Sequence, residues 1–258
     1  MTNFQPKNAL VTGAARRIGK KIALDLAHDG WSVAVHHRDS HADALETVSE
    51  IEANGGRAVA IRADLAVENE TKGLIQEATG SIGPLTCLIN NAARFERDSV
   101  ESATRTSWDQ HLETNLRAPF VLMQAFANSL TSIAGNNVTG AIINMIDERV
   151  WNLTPHFVSY TVSKAALWSL TQTFALALAP HIRVNAIGPG PTLPSPRQTD
   201  AQFALQSAST PLGRGTSPSE ISDAVRFILA APAMTGQMIA LDGGQHLGWR
   251  NSDDEPEE

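Results

Sequence analysis

An apolar run, Asn8-Ala9-Leu10-Val11-Thr12, breaks on Gly13 and leads through Ala14-Ala15-Arg16-Arg17-Ile18-Gly19 into an amphipathic helix, about Ile18 to Asp29, that carries Ile22, Leu24 and Leu26. A strand that turns on glycine into a helix constrains this chain most. It commits the first unit to a buried strand with a helix folded back on it. The alternation continues to the C-terminus. Further strands are read at 32–37, 57–62, 85–89, 141–146, 182–187 and 238–241. The intervening helices are read at about 41–53, 67–78, 108–133 with a bend near Pro119, a helix through Tyr160 ending near Pro180, and 218–229. The stretch containing Pro194 and Pro196 is read as a loop to about Ser217. Short connections between strands and helices predict an α/β, doubly wound, mostly parallel seven-stranded sheet covered by helices on both faces. With 258 residues, 42% of them hydrophobic, and no linker, the chain reads as one domain over 1–250.

Strand, glycine turn and helix is also the arrangement in which backbone N–H groups meet a phosphate. A Walker-type loop fails, because five residues rather than four separate Gly13 from Gly19 and Lys20 is followed by Lys21. A purely structural glycine turn competes, but Arg16 and Arg17 suit an anion. Arg17 stands where the common dinucleotide fingerprint has its middle glycine. Roughly twenty residues past such a loop an acid would bind the ribose 2′-hydroxyl of NAD. Here the second strand ends in His37-Arg38-Asp39-Ser40. His37, Arg38 and Ser40 with Arg16 and Arg17 offer donors suited to a 2′-phosphate, so NADP(H) is the expected cofactor. Asp39, turned inward to the ribose, is the competing reading.

The chain's single tyrosine, Tyr160, precedes Lys164 by four residues. On a helix that spacing puts phenol and ammonium on one face. A cation at roughly 5 Å in an effective dielectric of about 20 attracts a phenolate by about 3 kcal/mol, enough to lower the phenol's pKa by about two. That predicts an acid–base pair. An ordinary buried tyrosine beside a lysine is the alternative.

The formal net charge of −7 argues against nucleic acid or an anionic membrane as partner. Residues 251–258 read as an acidic, solvated tail. Cys87 lies in an apolar run and reads as core. No metal-ligand spacing is present. The N-terminus shows neither a charged nor an apolar leader region, and no run is long enough to span a bilayer, so a cytoplasmic location is expected.

Taken in order, Thr12-Gly13 through Gly19, Asp64-Leu65, Asn90-Asn91-Ala92, Thr114-Asn115-Leu116, Tyr160 through Lys164, Pro189-Gly190 and Asp242-Gly243-Gly244 resemble the short-chain dehydrogenase/reductase family over nearly the whole length. The resemblance implies a Rossmann fold and an NAD(P) cofactor. It makes Tyr160 the general acid, Lys164 its electrostatic partner on the nicotinamide ribose, and Asn115 the support of a relay water. It places Asp64 and Leu65 at adenine, Asn91 near the nicotinamide-side ribose, and Pro189, Gly190 and Thr192 beside the nicotinamide. It also implies a homo-oligomer, tetramer or dimer, packed through the Asn115 and Tyr160 helices.

One position departs from most of the family. Thirteen residues before the tyrosine, where a serine usually donates to the substrate carbonyl, stands Asp147. A carboxylate only accepts and would repel a developing alkoxide. It suits a substrate with N–H donors or, protonated, a ring nitrogen. Asp147 as a solvent-facing turn residue, with Glu148 or another nearby residue near the substrate, remains open. The pteridine and dihydromonapterin reductases are similar in having an aspartate there, and the chain resembles them in Arg17, in His37-Arg38 and in the Asp242–Leu247 segment. Phe95, after Asn91-Ala92-Ala93-Arg94, falls where the parasite enzymes stack a phenylalanine on the pterin; as core filler it would simply pack. Those enzymes have a serine on the cofactor phosphates where Ala93 stands. Arg17, Phe95, Asp147 and Tyr160 are thus the expected substrate contacts, with Trp151 and Trp168 read as packing residues. The resulting expectation is NADPH-dependent hydride transfer to a C=N bond of a pterin-like molecule. The alternatives are a short-chain reductase of another carbonyl or imine, such as a 3-ketoacyl compound, and a non-catalytic NADP sensor.

Overall fold

The computed structural model describes residues 6–133 and 138–248; the tail read at 251–258 lies outside them. Seven strands form one parallel sheet in the order β3-β2-β1-β4-β5-β6-β7. They are β1 (Asn8–Val11), β2 (Ser32–His37), β3 (Arg57–Arg62), β4 (Cys87–Asn90), β5 (Gly140–Met145), β6 (Ile182–Pro189) and β7 (Met238–Leu241). The helices are α1 (Arg17–His28), α2 (His41–Ala53), α3 (Glu68–Ile82), α4 (Arg105–Leu112), α5 (Ala118–Ile133), α6 (Val158–Leu178), α7 (Asp200–Ala208) and α8 (Pro218–Ala230).

The two cores follow from strand alternation. In β1, Leu10 faces one side with Leu74, Leu122 and Phe126. Its neighbours Ala9 and Val11 face the other side with Ile22, Leu26, Ile221 and Val225. Side chains of period two on a sheet covered on both faces give this two-sided burial. The chain reverses direction across the sheet between β1 and β4, so the loops after these strands diverge and leave a crevice at their carboxyl ends. Cys87 is fully buried in β4. No helix among the described residues is long and apolar enough to cross a membrane.

Two elements depart from expectation. The helix read across 108–133 is interrupted by a π-helical turn, Glu113–Arg117. Pro119 lacks the N–H that would bond the carbonyl four residues back, that of Asn115, and its ring crowds that carbonyl, so the preceding turn widens. The loop read to Ser217 contains α7. Thr199 caps it: its hydroxyl accepts from Gln202 N, and the Gln202 side chain accepts from Thr199 N. That capping box was visible in the sequence as Thr199-Asp200-Ala201-Gln202.

Candidate active site

The glycine turn is held from three sides. Gly13 has φ +63°, and a Cβ there would stand 3.0 Å from Ala92 Cα. A Cβ on Gly19 would fall 2.3 Å from the Gly13 carbonyl oxygen. Asn91, which lines both cavities, donates its amide to the carbonyls of Thr12 (2.8 Å) and Gly13 (3.2 Å). The turn offers carbonyls there, and a short amide from the residue just after β4 satisfies them. His36 completes the frame. Its Nδ1 accepts from Gly13 N (3.0 Å), so Nε2 carries the proton and donates to Ala63 O (3.0 Å). Burial lowers its pKa to about 4, which keeps it neutral. Arg17 adopts φ +56°, the left-handed backbone for which a glycine would be expected.

Helix α1 starts at this turn with no side-chain cap and no acid in its first turn. Its free N–H groups favour negative charge. Gly13, Arg16, Arg17, Ile18, Gly19, His37, Arg38, Ser40, Asp64, Leu65, Asn91, Ala92 and Ala93 line one elongated cavity of about 520 Å³. At its far end Arg16 donates to Ser40 Oγ (2.5 Å). Asp39 also borders this end of the cavity, and its exposed carboxylate pairs with Arg38 Nε (2.6 Å). An uncapped helix start leading to two arginines and a serine fits a ligand with a central diphosphate and a terminal phosphate.

A second cavity of about 220 Å³ continues the first and shares Arg17, Ile18, Asn91, Ala93 and Phe95 with it. Asp147, Tyr160, Lys164, Pro189, Gly190 and Thr192 line this part. Tyr160 Oη donates to Asp147 Oδ2 (2.7 Å), and Arg149 N donates to Asp147 Oδ1 (2.9 Å). Asp147 is therefore in the cavity wall rather than out in solvent. The expected lowering of the phenol's pKa by Lys164 is corrected by the geometry. Lys164 Nζ stands 5.8 Å from the Tyr160 ring centre and donates to Met145 O (2.7 Å). Burial first, then the Asp147 carboxylate, raises the phenol well above its usual value. Burial also brings the Lys164 ammonium down to about 8.

Asn115 lines neither cavity. Fully buried, it accepts from Arg94 N (2.7 Å) and donates to Arg94 O (2.9 Å) and Ser163 Oγ (3.1 Å). Its side chain fastens the segment before Phe95 to α6. Phe95 stacks one ring face on Phe157 (4.5 Å, 1°) and meets Tyr160 edge-on (4.8 Å). Trp151 and Trp168 pack edge to face at 6.4 Å, as read.

A family model described as enoyl-(acyl carrier protein) reductase matches residues 13–246. The 3-oxoacyl-[acyl-carrier-protein] reductase FabG of Staphylococcus aureus is 33% identical over 93% of this chain and 98% of its own length. The crystal structure of FolM alternative dihydrofolate reductase 1 from Brucella suis, in complex with NADP, superposes with a TM-score of 0.91. It is 44% identical and covers 98% of this chain and 99% of that one. The crystal structure of FolM alternative dihydrofolate reductase 1 from Brucella canis, complexed with NADP, gives 0.90 at 44% identity over 95% of this chain and 96% of that one. The chain belongs to the short-chain dehydrogenase/reductase family.

As a member of that oxidoreductase family, the chain carries several site residues that its sequence did not single out. Arg149, Gln198, Phe203, Gln206 and Gln245 are among the further residues lining the smaller cavity. Arg149 lies over Phe157 at 4.8 Å. Arg17 donates to the carbonyls of Pro194 (3.0 Å) and Leu193 (3.4 Å), and Arg197 donates to Phe95 O (3.0 Å) and Glu96 (2.7 Å). These tie the loop before α7 to the cofactor turn and to the Phe95 segment. No local spacing announces them, because each contact joins segments roughly a hundred residues or more apart. For α7 itself, the capping box was the available signal.

Proposed function

We propose that this short-chain dehydrogenase/reductase is an NADPH-dependent reductase of a C=N bond in a pterin-like heterocycle. The observation that carries the reading is the Asp147–Tyr160 hydrogen bond in the wall of the smaller cavity. The 44% identity to FolM of Brucella suis supports it.

The NADP(H) assignment rests on Arg16, Arg38, Ser40 and His37 at the far end of the larger cavity, which suit a 2′-phosphate. Gly13, Gly19 and the start of α1 would hold the diphosphate, with Asp64 and Leu65 at adenine and Pro189, Gly190, Thr192 and Lys164 around the nicotinamide. When bound, the cofactor supplies the hydride. Tyr160 and Asp147 hold one transferable proton between them. A ring nitrogen in contact with the pair takes that proton as its basicity rises. Lys164, its ammonium held on the Met145 carbonyl in the cavity lining, would meet the nicotinamide ribose. Arg17 stands where the two cavities meet, and Phe95, which lines both and carries Arg149 and Arg197 over its ring at 5.4 Å, offers a flat substrate an aromatic wall.

Reduction of a 3-oxoacyl thioester is the second reading, favoured by the FabG relatives at 33% identity. There Asp147 would be incidental. The deciding experiment is steady-state NADPH oxidation with dihydrobiopterin, dihydromonapterin, dihydrofolate and an acetoacetyl thioester. The pterin reading expects turnover with at least one of the first three and loss of it in Asp147→Ser. Oxidation with the thioester alone, kept or raised in Asp147→Ser, overturns it.

A homo-oligomer in the cytoplasm completes the proposal. Val162 and Leu176 on α6 and Trp108 on α4 present exposed apolar side chains on the helices expected to pack between copies. Analytical ultracentrifugation checks it, with a monomer as the contrary result.

A further inference from the structure

Beside the cavity lies a chain of hydrogen bonds, buried from His111 inward, whose direction can be read atom by atom. Glu96 N–H donates to His111 Nε2 (3.1 Å). Nδ1 of that ring must then carry the proton, and it donates to Ser159 Oγ (2.7 Å). Ser159 Oγ–H in turn donates to Asp98 Oδ2. Asp98 Oδ1 accepts from Ser159 N (3.2 Å), and the Asp98 carbonyl accepts from Phe157 N (2.7 Å). Asp98, His111 and Ser159 are respectively 3%, 0% and 0% exposed. The three residue types match a hydrolytic triad, but the direction is wrong for one. The serine proton points to the carboxylate rather than to the imidazole, and no cavity reaches Oγ.

The arrangement answers a local need. Helix α6 begins at Phe157, which has φ +57° and offers no side-chain cap to the first free N–H groups. Asp98, from the segment after Phe95, supplies the missing cap from outside the helix, where a carboxylate also meets the positive end of the helix dipole. Tyr160 lies one residue beyond the capped Ser159. His111 meets the Tyr160 ring edge-on at 6.0 Å and, through Glu96 N, also holds the residue next to Phe95. The same chain therefore fixes both the phenol and the aromatic wall beside it.

We infer that Asp98, Ser159 and His111 are positioning residues that set the start of α6 so that the Tyr160 hydroxyl stays pressed on Asp147 in a dry pocket. They touch no reacting atom, and their effect on the reaction runs through Tyr160 and the Phe95 wall it meets. The inference rests on the phenol's geometry and holds for either substrate.

Tyr160 is the only tyrosine in the chain, so it can be watched directly. Protein labelled with ζ-¹³C tyrosine gives one resonance, whose shift reports phenol ionisation without any substrate. Asp147, Glu148, Arg149, Lys164 and the His111 ring face the phenol, and all remain in Ser159→Ala. In the wild type the phenol stays protonated until alkaline unfolding, because burial and Asp147 both oppose ionisation. In Ser159→Ala the first turn loosens, water enters, and the phenol ionises at least about one pH unit earlier. Ser159→Thr, which keeps the hydroxyl, restores the wild-type curve. Asp98→Asn, which keeps an oxygen for Ser159 N, shifts it less than Asp98→Ala. If the Asp98 variants fail to fold, Ser159→Ala decides. A folded Ser159→Ala whose phenol still resists ionisation to the unfolding pH overturns the inference, even if its melting temperature has dropped.

Discussion

A buried phenol that donates to a carboxylate resists ionisation, since water is excluded and the phenolate would face a like charge. Tyr160 is in that state, and it gives up its proton only to a partner that competes with Asp147. Tyr160→Phe therefore keeps the pocket's shape and lowers kcat by about 10²–10⁴-fold, the usual range for losing a proton donor, with NADPH affinity little changed in a fluorescence titration. Equal loss in kcat and cofactor affinity would contradict that role. His36 gives the acid-side prediction. Its folded pKa, about 4, lies below the ordinary value of 6.5, so the unfolded chain binds its proton first as pH falls. Stability from this group is complete above pH 6.5, is lost progressively down to about 4, and amounts to about 3 kcal/mol at most. Urea unfolding at pH 7 and pH 4.5 should show a drop that is smaller in His36→Gln. Asp147 was legible in the sequence because it breaks a spacing rule relative to Tyr160. His36 was not: it sits next to His37 in the same strand, and only the fold shows which of the two turns under the glycine loop.

The first βα unit shows what an element can encode locally. Gly13 and Gly19 were readable because no other residue fits two backbones that approach so closely. Gly19→Ala should abolish NADPH binding in isothermal titration, since its Cβ would overlap the Gly13 carbonyl. Arg17 behaves differently. A non-glycine residue held in left-handed backbone costs roughly 1 kcal/mol or more, and its guanidinium reaches the loop before α7. Arg17→Gly should hold or raise the melting temperature while raising KM for both cofactor and substrate. A variant that melts lower with unchanged KM would show the arginine to be structural. The pairing of Tyr160 with Lys164 was legible as spacing, but their coupling was not. The i,i+4 rule fixes the side of the helix and leaves open the Met145 carbonyl that claims the ammonium. The π turn before Pro119 likewise places Asn115 inward, against Arg94 and Ser163, where sequence could say only that a bend was near.

At the scale of the molecule, the sheet's reversal between β1 and β4 brings the ends of β1, β2, β3 and β4 around one elongated cavity, and β5 and β6 around its continuation. This much was legible, because alternating strands and helices allow few other topologies. Under the proposed assignment the 2′-phosphate meets the open end at Arg16 and Arg38, whose side chains are 64% and 53% exposed. Such contacts act through water and salt, so their worth is modest and screened. Binding to the folded state alone stabilises it by RT ln(1 + [L]/Kd), about 2.7 kcal/mol at a hundredfold excess over Kd. NADPH should therefore raise the melting temperature more than NADH at equal concentration. Arg38→Ala should weaken NADPH binding by about tenfold, the loss of one charge-assisted contact, while leaving NADH nearly unchanged. The gap between the two cofactors should also narrow as sodium chloride rises, because the added phosphate lies where the solvent reaches it. Equal stabilisation by both cofactors in the wild type at low salt would return the choice to Asp39, freed from Arg38 and turned toward a bare ribose.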